Sequence, residues 1–369
     1  MRLILYAALL LTVVGSTAAL RAHKAPTAPK PGFAIIAYYA GDATAFRAYR
    51  TQQLTHIIYS FLHLKGSALA FDKPQNQATV AALVALKAQQ PQLKVMLSLG
   101  GWSGCQTCSQ VFATAQGRAA FATSVKQLLL ATHTDGIDLD WEYPAIAGPP
   151  DHPFAPTDRH NFTLLVQALR TTLGSAYEIS FAAGGFPEYL RTSVEWPAVM
   201  PLVNRVNLMS YDLVNGYSTT TGHHTPLYPT PQQRLSVDEG VRYLDSVGVA
   251  PGKIVIGAAF YARVFGQVPS ANQGLQQAGT FQKTFNYREF SDSLSAAQGF
   301  VTYWDPVAQA PYAYSARRQK FATFDDARSI RLKTQYARAK HLGGIMFWEL
   351  TGDKPQHGLL ESLYQAATQ

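Results

Sequence analysis

Cysteine is nearly missing from this chain: Cys105 and Cys108 stand alone in 369 residues. A metal centre built on that C-x-x-C pair would need further ligands nearby, and none accompanies it. The flanking Gly-Trp-Ser-Gly and Gln-Thr read as loop, which argues against a thioredoxin-like redox helix. Clustered positive charge is missing too. The net charge is +8 and the pI about 9.3, yet the basic residues are dispersed. The nearest thing to a cluster is Arg317-Arg318-Gln319-Lys320. No nucleic-acid stripe or polybasic membrane segment results, so no nucleic-acid partner is expected. The charge reads as solubility, with weak attraction to anionic surfaces.

Long apolar runs are confined to the start. Arg2, an apolar stretch over residues 3–14 and the small residues 15–19 have the form of a secretory signal peptide, residues 1–19, cut after Ala18 or Ala19. An uncleaved anchor is the alternative. Residues 20–31, with Pro26, Pro29 and Pro31, read as a flexible leader. No second run is long enough to span a bilayer. The expectation is a secreted monomer that leaves the membrane after cleavage. In such a compartment Cys105 and Cys108 are expected to form a local disulfide, with free thiols the alternative.

What the chain does have is aromatics: 19 Tyr, 19 Phe and 5 Trp. Flat rings in that number serve core packing or line a sugar cleft, and composition does not choose. From residue 33 one theme repeats: a short apolar β-rich run, a loop, a helical pattern. The runs fall at residues 33–39, 55–62, 94–99, 136–142, 178–183, 203–211, 253–260 and 343–348. Helical patterns lie at 78–89, 113–132, 158–173, 237–247 and 329–341. Eight strands alternating with helices predict an α/β fold, a TIM (β/α)8 barrel over residues 32–369. The competing open doubly wound sheet lacks a G-x-G-x-x-G after its first strand. Between the seventh and eighth strands residues 264–322 are surplus. β-like pieces (300–304, 312–314, 320–324) and a helical piece (287–295) predict a small α+β insertion walling a cleft.

The fourth run reads Asp135-Gly-Ile-Asp-Leu-Asp-Trp-Glu-Tyr143. Asp138, Asp140 and Glu142 recur every second residue, so on a strand they share one face while Ile137, Leu139 and Trp141 share the other. Acids buried so close together share protons rather than all ionise, which keeps at least one group protonated for acid catalysis. A calcium loop would require Gly and polar residues where these strand fillers stand. The strand ends converge at a barrel's C-terminal face. They supply Tyr38, Phe61, Trp102, Met209, Tyr211, Asp212, Tyr261, Arg263 and Trp348. Carboxyl groups among rings are a sugar-cleaving constellation. His223 and His224 lack partners at ligand spacing and read as loop residues. The sequon at Asn161 and Thr163 reads as a core-facing helical turn.

The run from Asp135 to Glu142 resembles the D-G-x-D-x-D-x-E signature of glycoside hydrolase family 18, the chitinases. Ser98-Leu-Gly-Gly101 is similar to that family's S-x-G-G and Met209-Ser-Tyr-Asp212 to its M-x-Y-D. Residues 257–263 and 344–349 are similar to its seventh- and eighth-strand ends. The resemblance implies a catalytic set of Glu142 as acid and then base, Asp140 orienting the substrate acetamido group, Asp138 coupled beneath it, and Tyr211 on the acetamido carbonyl. It implies that Asp212 contacts sugar hydroxyls and that Trp348 floors the distorted sugar. Tyr38, Phe61, Trp102, Met209, Tyr261 and Arg263 would line the cleft. The family reaction retains configuration with the substrate's own N-acetyl oxygen as nucleophile, an exception to the two-carboxylate rule. It uses no metal or cofactor, and its partner is chitin or chito-oligosaccharides. A chitin-binding lectin of the same fold and an endo-β-N-acetylglucosaminidase are the alternatives.

Overall fold

A computed structural model describes residues 32–369; the expected signal peptide and leader lie outside the described residues. The chain first builds β1 (Ala34–Tyr39), β2 (His56–Lys65), β3 (Ala68–Ala70), β4 (Lys94–Gly100), β5 (Gly136–Asp140), β6 (Glu178–Gly184), β7 (Arg205–Met209) and β8 (Ile254–Ala259). It continues through β9 (Tyr261–Gly266), β10 (Thr280–Asn286), β11 (Val301–Asp305), β12 (Ala310–Ser315), β13 (Lys320–Thr323) and β14 (Gly344–Trp348). Eight of these are parallel and pair in the order β1-β2-β4-β5-β6-β7-β8-β14. The ring closes because β14 pairs back onto β1, with Ala34 opposite Gly344. This is the TIM barrel, and β3 is a short antiparallel addition to β2.

Strand periodicity sorts the core into two layers. Ile35, Ile57, Leu97, Ile137, Leu139 and Phe181 face the surrounding helices. Ile36, Tyr38, Ile58, Met96, Met209 and Met346 fill the barrel interior. Just beyond β5, Trp141 is buried in the outer layer, 5.5 Å from the Phe112 ring and 6.4 Å from Phe162. Each buried side chain of this size stabilises by roughly 1.5–3 kcal/mol. The outer helices start where side chains satisfy free amides: Thr114 accepts from Gly117 N, Ser236 from Glu239 N and Asp326 from Ser329 N. Each such cap contributes about 1 kcal/mol.

After β8 the chain leaves the barrel at Phe260 and builds an antiparallel sheet in the order β10-β9-β13-β12-β11. Val264, Ala313, Ala322 and Phe324 pack on one face. Phe265, Tyr312, Tyr314 and Phe321 pack on the other. An unbroken run without charge over residues 254–262 hides the break at Phe260, so β9 is not visible as a separate strand. The helix read at 78–89 begins earlier, at Pro74, because proline suits a first helical turn where no amide partner is lost. The C-terminal helix Leu359–Thr368 has no side-chain cap and is absent from the helical patterns above, although its buried Leu359, Leu360, Leu363, Tyr364 and Ala367 recur at helical spacing.

Candidate active site

The S-x-G-G stretch sets how closely two strand ends approach. A Cβ on Gly100, at φ +110°, would lie 2.1 Å from the Asp140 carbonyl oxygen. The Gly101 amide instead donates to that oxygen at 2.9 Å. Only glycine permits both the conformation and the contact, and the result presses the end of β4 onto the end of β5, beneath Glu142. Three peptide bonds are cis: Ser60–Phe61, Glu142–Tyr143 and Trp348–Glu349.

Asp138 is deepest and fully buried. Its Oδ2 accepts from Tyr38 Oη at 3.1 Å and Ser98 Oγ at 3.0 Å. Its Oδ1 accepts from Ser180 Oγ at 2.6 Å and Asn207 Nδ2 at 3.0 Å. Burial raises its pKa, and the four donors act against that rise. Both oxygens are taken by neutral donors, so the expected proton sharing with Asp140 has no direct hydrogen bond in this state. Asp140 is also buried, and its Oδ1 has no hydrogen-bond partner among the described residues. Burial, then the neighbouring Glu142 and Asp138, pushes its pKa well above the carboxylate range. Glu142 sits nearest the mouth at 8% exposure. Burial, with the Asp212 charge adding, lifts its pKa to about 7 against an opposing hydrogen bond from Tyr143.

Facing this column, Asp212 adopts a left-handed backbone at φ 56°. The Arg263 guanidinium grips it as a fork: Nε donates to Oδ1 at 2.7 Å and Nη2 donates to Oδ2. Burial opposes its ionisation, but His224 and Arg263 outweigh burial and hold its carboxyl below the usual range. Arg263 also lies over the Tyr261 ring at 5.3 Å and the Phe281 ring at 5.4 Å, which joins the barrel mouth to the insertion. Among the described residues the Tyr211 hydroxyl has only a long contact to Met346 Sδ, 4.0 Å, leaving it free to bond a ligand.

Two groups of rings complete the mouth. Trp348 stacks on Phe61 at 5.5 Å and leans on Tyr38 at 6.0 Å. Trp102, 48% exposed, reaches Tyr143 at 6.2 Å and Tyr217 at 6.3 Å. Met209 lies in the barrel interior beside these groups. Cys105 and Cys108 are joined by a disulfide after Trp102, and Cys108 opens the short helix Cys108–Phe112, although the flanking residues read as loop in the sequence. Asn161 and Thr163 are buried on the helix Asp158–Leu173. Among the described residues no group of three or more His, Cys, Asp or Glu is placed to hold a metal ion.

Several side chains escaped the sequence reading. Ser180 and Asn207 are polar residues in otherwise apolar buried strands, and that mismatch is the signal that could have found them. Ser180 stands opposite Asp138 in the β5–β6 register. His223 and His224 lie in the loop after β7, as expected, but both are buried. His223 Nε2 lies 3.0 Å from Asp305 Oδ2, and the fully buried His224 places Nδ1 3.5 Å from Asp212 Oδ1. Tyr143 and Tyr217 join the rings only because loops fold over the mouth.

A (β/α)8 barrel carrying this acid column at its C-terminal mouth is a protein of the glycoside hydrolase class. More narrowly, the chain belongs to glycosyl hydrolases family 18, whose model matches residues 34–353. It is 32% identical to Chitinase A1 of Niallia circulans over 73% of this chain and 42% of that protein. It is 28% identical to Chitinase B of Serratia marcescens over 85% of this chain and 76% of that protein. A glycoside hydrolase family 18 N-acetylglucosaminidase from Paenibacillus barengoltzii superposes with a TM-score of 0.82 at 36% identity, covering 90% of this chain and 99% of that one. The chain thus spans less than half of Chitinase A1 and about three quarters of Chitinase B.

Proposed function

We propose that this chain is an exported, monomeric chitinase that hydrolyses β-1,4-linked N-acetylglucosamine polymers with retention of configuration, using residues 1–19 as its export signal. The observation that carries the reading is Glu142: a buried carboxyl at the cleft mouth whose pKa of about 7 leaves it half-protonated at neutral pH. A general acid works best with its pKa near the working pH. Glu142 donates its proton to the glycosidic oxygen while the substrate acetamido oxygen closes on the anomeric carbon. The leaving sugar departs, and the deprotonated Glu142 then takes a proton from the water that opens the oxazolinium ion.

Two unsatisfied atoms support the substrate-assisted route. Asp140 Oδ1 is a buried acceptor without a donor among the described residues, and Asp140 turning toward the cleft lets it accept from the acetamido N–H. The Tyr211 hydroxyl is a donor without a strong acceptor, suited to the acetamido carbonyl. Asp138, braced by four donors, stabilises charge beneath them. Trp348, Phe61 and Tyr38 receive the apolar face of the sugar, while Asp212 and Arg263 meet its hydroxyls.

Glu142→Gln keeps the shape and removes the proton, so hydrolysis of chito-oligosaccharides should fall by about 10²–10⁴-fold with binding retained. Unchanged turnover would remove Glu142 from this role and favour a lectin reading. A second reading, release of single N-acetylglucosamine units, is favoured by the 36% identity to the Paenibacillus barengoltzii N-acetylglucosaminidase along nearly its whole length. Product sizes from a hexamer separate the two.

A further inference from the structure

Behind the cleft, Asp325 and Lys333 form the one ion pair among the described residues with both side chains out of water, at 0% and 1% exposure. Lys333, on the helix Ala327–Ala339, places Nζ 2.8 Å from Asp325 Oδ1 and 2.7 Å from Oδ2. Taking two charges out of water costs several kcal/mol for each ion, and apolar residues of the same volume often serve stability as well or better. Packing alone therefore gives a weak account of the pair.

Apart from a bond that Ser329 Oγ, on the same helix as Lys333, donates to Asp325 Oδ1 at 2.7 Å, its remaining hydrogen bonds lead to the site. Lys333 Nζ donates to Thr225 Oγ1, and Thr225 Oγ1 donates to the Ser210 carbonyl at 3.0 Å. Asp325 Oδ2 accepts from the Ala259 amide at 3.0 Å, at the end of β8. Ser210 is held from its other side as well: its Oγ donates to Gly257 O at 3.0 Å and accepts from Gly257 N at 2.9 Å. Ser210 immediately precedes Tyr211 and Asp212. Thr225 immediately follows His224, whose ring abuts Asp212, and the Leu213 amide donates to His224 O at 3.0 Å. The charged pair thus sits where the two segments flanking Asp212 and the end of β8 are tied together.

We propose that Asp325 and Lys333, acting through Thr225, are positioning residues that fix where Tyr211 and Asp212 stand relative to Glu142. Neither touches substrate. The pair sets the backbone from which two substrate-facing side chains project, and an error of about 1 Å there costs on the order of 10²-fold in rate. This rests on the chitinase reading above.

The test uses the full chain with soluble chito-oligosaccharide. Removing one charge strands the other, so the informative variant is the double replacement Asp325→Leu with Lys333→Met, beside Thr225→Val and its control Thr225→Ser. Urea unfolding reports stability, steady-state kinetics separate kcat from KM, and calorimetry in a Glu142→Gln background reports binding. The expected result is a double variant with an unfolding midpoint near the parent's and a kcat reduced about tenfold or more. Thr225→Val should also lower kcat, while Thr225→Ser, which keeps the hydroxyl, restores it. A folded double variant with kcat within about twofold of the parent overturns the proposal. If the double variant does not fold, the threonine pair decides: equal kcat for valine and serine overturns it as well. An unmodified protein that cleaves no N-acetylglucosamine polymer would instead strike the functional reading, and the positioning role with it.

Discussion

Glu142 should leave its mark on stability as well as on rate. Its pKa rises from an ordinary 4.5 to about 7 in the folded protein, chiefly because burial disfavours its charge. Between those values the folded protein holds a proton that the unfolded chain has released, so stability falls as pH rises through this window. The contribution is fully present below pH about 4.5 and lost above about 7. The difference between the two pKa values corresponds to roughly 3 kcal/mol. Glu142→Gln cannot ionise and escapes the loss. Measured by urea unfolding with intrinsic fluorescence, the variant should gain about 3 kcal/mol relative to the parent between about pH 4.5 and about pH 8. Asp140 is raised in the same direction, after burial chiefly by Glu142 itself, so Glu142→Gln also eases the ionisation of Asp140 and that effect adds to the variant's gain. Parallel stability profiles for the two proteins would refute the reasoning, because Glu142 would then titrate as a solvated carboxyl.

Trp102→Ala removes a half-exposed ring at the rim of the cleft. A stacked ring of this kind supplies about 0.5–1.5 kcal/mol, so KM for hexamer should rise roughly two- to tenfold while a dimeric substrate is little affected. Equal loss on both would place Trp102 outside the extended cleft. Replacing the acetamido group by a free amine in the sugar at the cleavage point should abolish turnover, followed by chromatography of the products. Normal rates there would eliminate the substrate-assisted route.

Much of the fold could be read from the sequence because a parallel barrel buries both faces of each strand, leaving eight short apolar runs between helical patterns. The period-two acids of β5 were legible for the same reason: Asp138 and Asp140 face inward while Ile137 and Leu139 pack outward. Boundaries were less legible. The strand read as residues 136–142 ends at Asp140, and Trp141 and Glu142 lie beyond its last ladder pair. What stayed hidden depends on strands far apart in sequence. Ser180 and Asn207 bond Asp138 only through barrel closure. His224 reaches Asp212 because the loop after β7 folds back along residues 210–213. The Arg263 fork on Asp212 spans 51 residues, and no local pattern announces it.

The central claim is acid–base catalysis by Glu142 with the substrate supplying the nucleophile. Its most direct test is the anomeric form of fresh products from N-acetylglucosamine hexamer, read by proton NMR or rapid chromatography before mutarotation. Retained β-anomer is predicted, as dimers and trimers from internal cleavage or as single sugars from the second reading. Newly formed α-anomer, which marks direct attack by water on the opposite face, would contradict the account.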